Sequence, residues 1–309
     1  MSSSTPLKSI ILVGPGGSLG SVLLEGLLYV STFSVSVLVR ESSKSIGSLP
    51  ADRLHKIVKI ADSYPQDEII AAFQGQDAVV NAITSTLVEE QLRFIDAAIE
   101  AGVKRYVPSE YGMNNLRPEA RALNSVFDGK GKVQEYLKSK ESTGLTWNAI
   151  GCGMWIDWSL KNNFLGLNYA TKTITMADEG KGKFSTSTME NTYLAVNRCL
   201  LNPEMTKNTV VYISDFVTTQ ADLVAAIERI RGEKWNVEQF DSYKAIEENK
   251  KKVEAGDHLA VYKLIEIGFV TGRYGGWLEE KEKIWNQDLG LPKQEFEDVV
   301  RKGLEKMKA

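Results

Sequence analysis

The sequence predicts an α/β fold in which a parallel sheet is wound on both faces by helices. Three observations carry that prediction. Short apolar runs at 10–13, 34–39, 55–60, 78–83, 105–107 and 145–150 alternate with segments whose apolar residues recur at helical spacing. The runs at 10–13 and 78–83 are continuously apolar or nearly so, as strands buried on both faces require. Glycine or small polar residues follow several of the runs, where an open sheet gathers its ligands beyond the strand ends.

The first junction is the most informative. Residues 10–22 read Ile-Ile-Leu-Val-Gly-Pro-Gly-Gly-Ser-Leu-Gly-Ser-Val, and Leu19, Val22, Leu23 and Leu27 open a helical stripe. Gly14, Gly17 and Gly20 stand at three-residue intervals, which permits a tight turn, a close backbone approach to a pyrophosphate, and helix-on-strand packing. The helix N-terminus offers free N–H groups and partial positive charge to an anion. Gly14, Gly16, Gly17, Ser18, Leu19 and Gly20 are therefore the expected phosphate cradle of a dinucleotide.

The residue closing the second strand bears on which dinucleotide. A carboxylate there would bind the ribose hydroxyls of NAD, but this chain has Arg40, with Lys44 close behind. A guanidinium suits a 2′-phosphate, so NADP(H) is the expected cofactor; the alternative is a solvated arginine balanced by Glu41.

Further along, a helix is expected over 67–73. Thr84, Ser85 and Thr86 end the fourth strand, and Leu92, Ile95, Ala98 and Ile99 stripe the next helix, which Gly102 stops. Pro108 and Ser109 follow the fifth strand. Thr84, Ser85, Pro108 and Ser109 are therefore expected to border the nicotinamide end of the cofactor. In the helix over 126–142, Lys130 shares the face of Val133 and Leu137, whereas Lys132, Lys138 and Lys140 point elsewhere. An inward ammonium is a candidate proton donor or acceptor; periodicity alone equally allows it to snorkel to water beside Gly129 and Gly131.

After 150 the alternation breaks down. Met154, Trp155, Trp158, Phe164, Leu165, Leu167 and Tyr169 form an aromatic-rich stretch that can be either a substrate wall or ordinary core. A strand at 184–186, helices at 189–201, 221–231, 246–254 and 292–307, an alternating segment at 235–240, and a strand at 210–214 that returns to the main sheet complete the expectation. The expected division is a cofactor-binding domain over 1–152 and a smaller α+β substrate region over 153–309.

Bulk composition fits a globular enzyme. The chain has 309 residues, 43% hydrophobic and 25% charged, with a net charge of −3, so no basic character points to nucleic acid. No apolar run approaches the roughly 20 residues of a membrane span, nor is there a signal-like core in residues 1–8, so a cytoplasmic protein is expected. Two cysteines, Cys152 and Cys199, and two histidines, His55 and His258, make neither a disulfide framework nor a metal site. No heptad announces an interface, and a monomer or weak homodimer is expected.

Taken together, the glycine loop, Arg40, the run Ala-Gly-Val-Lys-Arg-Tyr-Val-Pro-Ser-Glu-Tyr-Gly at 101–112 and Lys130 resemble the NmrA-like, isoflavone-reductase-like family of fungal type, which are atypical short-chain dehydrogenases. The likeness extends through Gly153-Met154-Trp155-Ile156-Asp157-Trp158, Phe184-Ser185-Thr186-Ser187, Asn202-Pro203-Glu204 and Leu289-Gly290-Leu291-Pro292. The resemblance implies a Rossmann-like domain, NADP(H), a smaller C-terminal substrate region and an acid/base role for Lys130. The expected reaction is hydride transfer to a small aromatic or conjugated carbonyl or enone, with Tyr111, Trp155 and Trp158 as the expected substrate contacts. It equally admits a non-catalytic dinucleotide sensor, or a redox-neutral isomerase, cyclase or dehydratase. Pro15 and Gly16 stand where many relatives have Ala-Thr, and Tyr111 where phenylalanine is common.

Overall fold

The computed structural model describes residues 6–305, with the side chains of Ser85 and Thr86 outside the described set. The chain divides into two compact units that interleave along the sequence. The first comprises 1–110, 129–150 and 192–211; the second comprises 111–128, 151–191 and 212–309.

The first unit is built on a seven-stranded sheet. Its strands are β1 (Ser9–Val13), β2 (Ser34–Arg40), β3 (Lys56–Ile60), β4 (Ala78–Asn81), β5 (Arg105–Val107), β6 (Thr146–Gly151) and β11 (Thr209–Tyr212), in the order β11-β6-β5-β4-β1-β2-β3. The pairings from β3 through β6 are parallel. Chain order runs outward from β1 to β3 in one direction and from β4 to β6 in the other, so the switch point lies between β1 and β4. A ligand crevice forms beyond the strand ends at such a point.

Ile10, Ile11 and Leu12 are fully buried and Val13 nearly so, which accounts for the unbroken apolar run. The helices α1 (Ser18–Tyr29), α2 (Gln66–Phe73), α3 (Gln91–Glu100), α5 (Ser125–Ser139) and α7 (Met189–Leu201) contribute to this unit. Phe73, Phe94, Ile95, Tyr106, Val133 and Leu137 share one core with Ile11 and Val79. In α3 the buried face is Gln91, Phe94, Ile95, Ala97 and Ala98, whereas Leu92 and Ile99 are half-buried, one step round from the stripe expected from sequence.

The second unit holds two small sheets. One joins β7 (Met154–Trp155), β10 (Phe184–Ser187) and β12 (Phe216–Thr218); the other joins β8 (Leu167–Asn168), β9 (Thr173–Ala177) and β13 (Asn236–Phe240). Around them lie α4 (Pro118–Leu123), α6 (Ile156–Lys161), α8 (Gln220–Arg231), α9 (Ser242–Glu254), α10 (Leu259–Val270) and α11 (Phe296–Glu305). The helix α10 has no counterpart in the sequence reading, because its run Leu-Ala-Val-Tyr-Lys-Leu-Ile-Glu-Ile-Gly-Phe-Val is apolar nearly all round and presents no single stripe.

The structure resolves the aromatic-rich stretch mainly as core. Met154, Leu165 and Leu167 are buried among Phe184, Ile227 and Ile267, with Phe164 and Tyr169 packed against them. No helix among the described residues is long and apolar enough to cross a membrane.

Candidate functional site

The glycine loop follows β1 directly, and its glycines serve different ends. Gly14 adopts φ +77°, where a Cβ would also lie 3.0 Å from the Ala82 carbonyl oxygen, and its N–H donates to the Leu38 carbonyl. At Gly20 a Cβ would fall 2.0 Å from the Gly14 carbonyl oxygen, so this glycine lets α1 pack tightly on the turn. Gly17 differs. It is the N-cap of α1 at φ −78° and ψ 169°, with no side-chain cap and no acidic residue in the first turn, and a Cβ there would meet nothing within 4 Å. Backbone N–H groups without a cap beside open space form an anion cradle.

A cleft of about 500 Å3 opens at this loop, within the volume range of small-molecule sites. Gly14, Pro15, Gly16 and Gly17 line it together with Arg40 and Lys44, at the end of β2 and just beyond it, and Ala82, Ile83, Thr84 and Leu87 after β4. Arg40 closes β2 and is exposed, as is Lys44. Ser18, Leu19 and Gly20 do not line the cleft: Ser18 is exposed at the start of α1, Leu19 is half-buried, and Gly20 is buried in the packing just described. Ser85 falls in the turn after Thr84, with its side chain outside the described residues.

The loop after Arg40 is braced by residues that sequence patterning had not marked. Asp62 accepts the Ser42 N–H at 3.1 Å and a short bond from the Ser42 hydroxyl, and Ser43 and Ser45 share a 2.9 Å hydroxyl contact. The Ser42 hydroxyl, the Ser42 N–H and then the Arg40 charge hold the Asp62 carboxyl below its ordinary range. Only the register of β2 against β3, which sets Arg40 opposite Ile60, brings this aspartate to the arginine. Tyr64 also lines the cleft, edge-on to Phe94 with ring centroids 5.3 Å apart; burial raises its phenol pKa.

A second group of residues lies at the ends of β4 and β5. The Ser109 hydroxyl donates to the Ile83 carbonyl at 2.9 Å, and the Ser109 N–H donates to Gln91 Oε1 at 2.7 Å. Pro108 is buried beside it. Lys130, in α5, is half-buried, and its Nζ donates a short hydrogen bond to the Glu110 carbonyl oxygen. The ammonium is therefore held at the turn that leaves β5. Of the two orientations periodicity allowed, this is the inward one.

The three aromatic side chains expected to touch substrate belong to the second unit. Tyr111 is buried at φ +40°, in the left-handed region, and Trp155 is half-buried on β7. Trp158, on α6, packs edge-on to Phe164 with centroids 5.4 Å apart, and lines a cavity of about 170 Å3 with Asp157, Lys161, Thr188 and Lys302. Both cysteines are buried and not disulfide-bonded, and among the described residues no group of three or more His, Cys, Asp or Glu is placed to hold a metal ion.

Comparison with known proteins agrees with this geometry. The oxidoreductase aprR of Aspergillus flavus is 34% identical over 299 residues, covering 94% of this chain and 97% of that protein. The oxidoreductase poxI of Penicillium oxalicum is 28% identical, covering 82% and 79% respectively. Among solved structures, an isoflavone reductase matches with TM-score 0.76 at 18% identity over 96% of this chain and 99% of its own. The leucoanthocyanidin reductase of Vitis vinifera, in its binary complex with NADPH, matches with TM-score 0.76 at 14% identity over the same shares. Residues 6–277 match the model of the NmrA-like family, and the chain belongs to that family.

Proposed function

We propose that this protein is an NADPH-dependent reductase that delivers a hydride to a small aromatic or conjugated carbonyl or enone, with Lys130 as its acid/base. The observation that carries the reading is the cleft itself, which combines an uncapped helix N-terminus, an open Gly17 and two cations. The names of the fungal relatives and the NADP+ and NADPH complexes among the structural neighbours support it.

In this reading the first-turn N–H groups of α1 and the loop at Gly14–Gly17 hold the pyrophosphate. Arg40 and Lys44 hold the 2′-phosphate, with Asp62 keeping the intervening loop in place through Ser42. Thr84, Ser85, Pro108 and Ser109 flank the nicotinamide. NADPH, when bound, supplies the hydride. Lys130 carries a proton at Nζ and passes it to the substrate oxygen as negative charge develops there. Tyr111, Trp155 and Trp158 are the proposed substrate contacts.

The test is NADPH consumption against a panel of aromatic aldehydes, enones and isoflavone-like compounds, with Lys130→Met alongside the wild type. Turnover that drops about 10²–10⁴-fold in Lys130→Met, with NADPH affinity within about twofold, supports the assignment. Unchanged turnover removes Lys130 from the chemistry. Tight dinucleotide binding with no turnover across the panel replaces the reductase by a sensor.

A further inference from the structure

Gln91 is a fully buried polar side chain at the start of α3, on the face it shares with Phe94, Ile95 and Ala98. Burying an amide costs free energy unless both its ends are satisfied, and an apolar side chain of the same size would fill this position without that cost. Both ends are used. Oε1 accepts the Ser109 N–H at 2.7 Å, and Nε2 donates to the Val88 carbonyl at 3.3 Å.

Each of those partners leads to Lys130 by a separate route. Ser109 precedes Glu110, whose carbonyl oxygen receives the Lys130 Nζ. Val88 packs against the backbone just before the lysine: a Cβ on Gly129 would lie 2.5 Å from Val88 Cγ1, so the glycine lets α5 rest directly on the Val88 turn. One amide thus fixes both the acceptor of the ammonium and the surface that carries its backbone. The Ser109 hydroxyl extends the tie to Ile83, which lines the cleft at the glycine loop.

We propose that Gln91 is the positioning residue for Lys130, holding its ammonium on the Glu110 carbonyl through Ser109 and Val88. The inference rests on the acid/base reading of Lys130 for its catalytic meaning, but the positioning itself is measurable without substrate or cofactor.

The experiment is competitive acetylation of the free protein with acetic anhydride, reading each lysine by peptide mass spectrometry. Lys138, exposed on the same helix, is the internal reference. In Gln91→Leu the labelling of Lys130 relative to Lys138 is expected to rise about tenfold, on the scale of one lost charge-assisted hydrogen bond. In Gln91→Glu, which keeps the acceptor for the Ser109 N–H, the rise is expected to be smaller. Should Gln91→Leu fail to fold, Gln91→Met, which keeps the side-chain length and removes both amide bonds, is expected to raise the same ratio in the same direction. A ratio equal to wild type in a folded variant overturns the proposal, as does an equal increase at both lysines, which would mean general loosening of the helix. If Lys130→Met keeps full turnover, the acid/base role fails while this labelling result still decides the positioning.

Discussion

Gly17→Ala separates the phosphate cradle from the fold that carries it. At φ −78° and ψ 169° the position suits any residue, and the new methyl would meet no atom of the chain within 4 Å. Alanine is a poorer N-cap than glycine by about 0.5–1 kcal/mol, while restricting the unfolded chain returns about 0.4–1 kcal/mol. Folding stability should therefore stay within about 0.5 kcal/mol of wild type. Binding should not. The methyl would project into the open space beside the loop that a bound pyrophosphate needs, and loss of one phosphate contact there forfeits a charge-assisted hydrogen bond of about 1.5–3 kcal/mol, or about 10–150-fold in Kd. Gly20→Ala should behave the other way, losing about 1–3 kcal/mol or more of stability, because its Cβ would sit 2.0 Å from a backbone oxygen. Urea denaturation and NADPH fluorescence titration of the two variants read both quantities. Wild-type NADPH affinity in Gly17→Ala would refute the cradle, and a large loss of stability there would refute the packing argument.

Three further outcomes follow from other parts of the first unit. Arg40→Ala should weaken NADPH binding by about 10–100-fold while leaving NADH binding within about twofold, measured by the same titration. Arg105 is 1% exposed and donates to Thr146, Asn148, Thr206 and the Pro203 carbonyl; burial lowers its pKa to about 10, so it stays charged at neutral pH. Arg105→Met leaves those buried acceptors without their donor and should cost about 3 kcal/mol or more in urea denaturation. Burial pushes the Asp77 carboxyl up, but bonds from Lys104 Nζ and the Ser9 and Lys8 N–H groups outweigh it, and its pKa is lowered overall. The folded state then binds fewer protons than the unfolded state, so the Asp77 contribution is present above about pH 4 and is lost as pH falls through the lowered value. After solvent screening it amounts to about 1 kcal/mol at most, and Asp77→Asn should flatten that part of the stability–pH curve.

What the sequence disclosed and what it concealed divide along local and non-local lines. The turn from β1 into α1 is legible because glycine spacing and a strand-to-helix change of period are properties of a few adjacent residues. That Lys130 shares a face with Val133 and Leu137 is legible for the same reason, but its inward orientation is fixed only by the non-local bond to the Glu110 carbonyl. Gln91 obeys the same rule, lying three and seven residues before Phe94 and Ala98, yet a neutral side chain attracts less notice on an apolar face than a charged one. Asp62 and Asn81 could not be found this way. The aspartate reaches Ser42 only through strand register, and Asn81 takes on meaning only when its amide ties Ile83 to the Tyr106 hydroxyl. The second unit was the least legible, because α10 lacks a polar face and the chain enters and leaves that unit more than once.

Recognition of an adenosine 2′-phosphate by Arg40 and Lys44 at the Gly14–Gly17 cleft is decided by titrating the wild-type protein with NADPH and with NADH. The expected result is about 100-fold tighter binding of NADPH, the scale of two charge-assisted contacts to phosphate. Equal affinity for the two would contradict it.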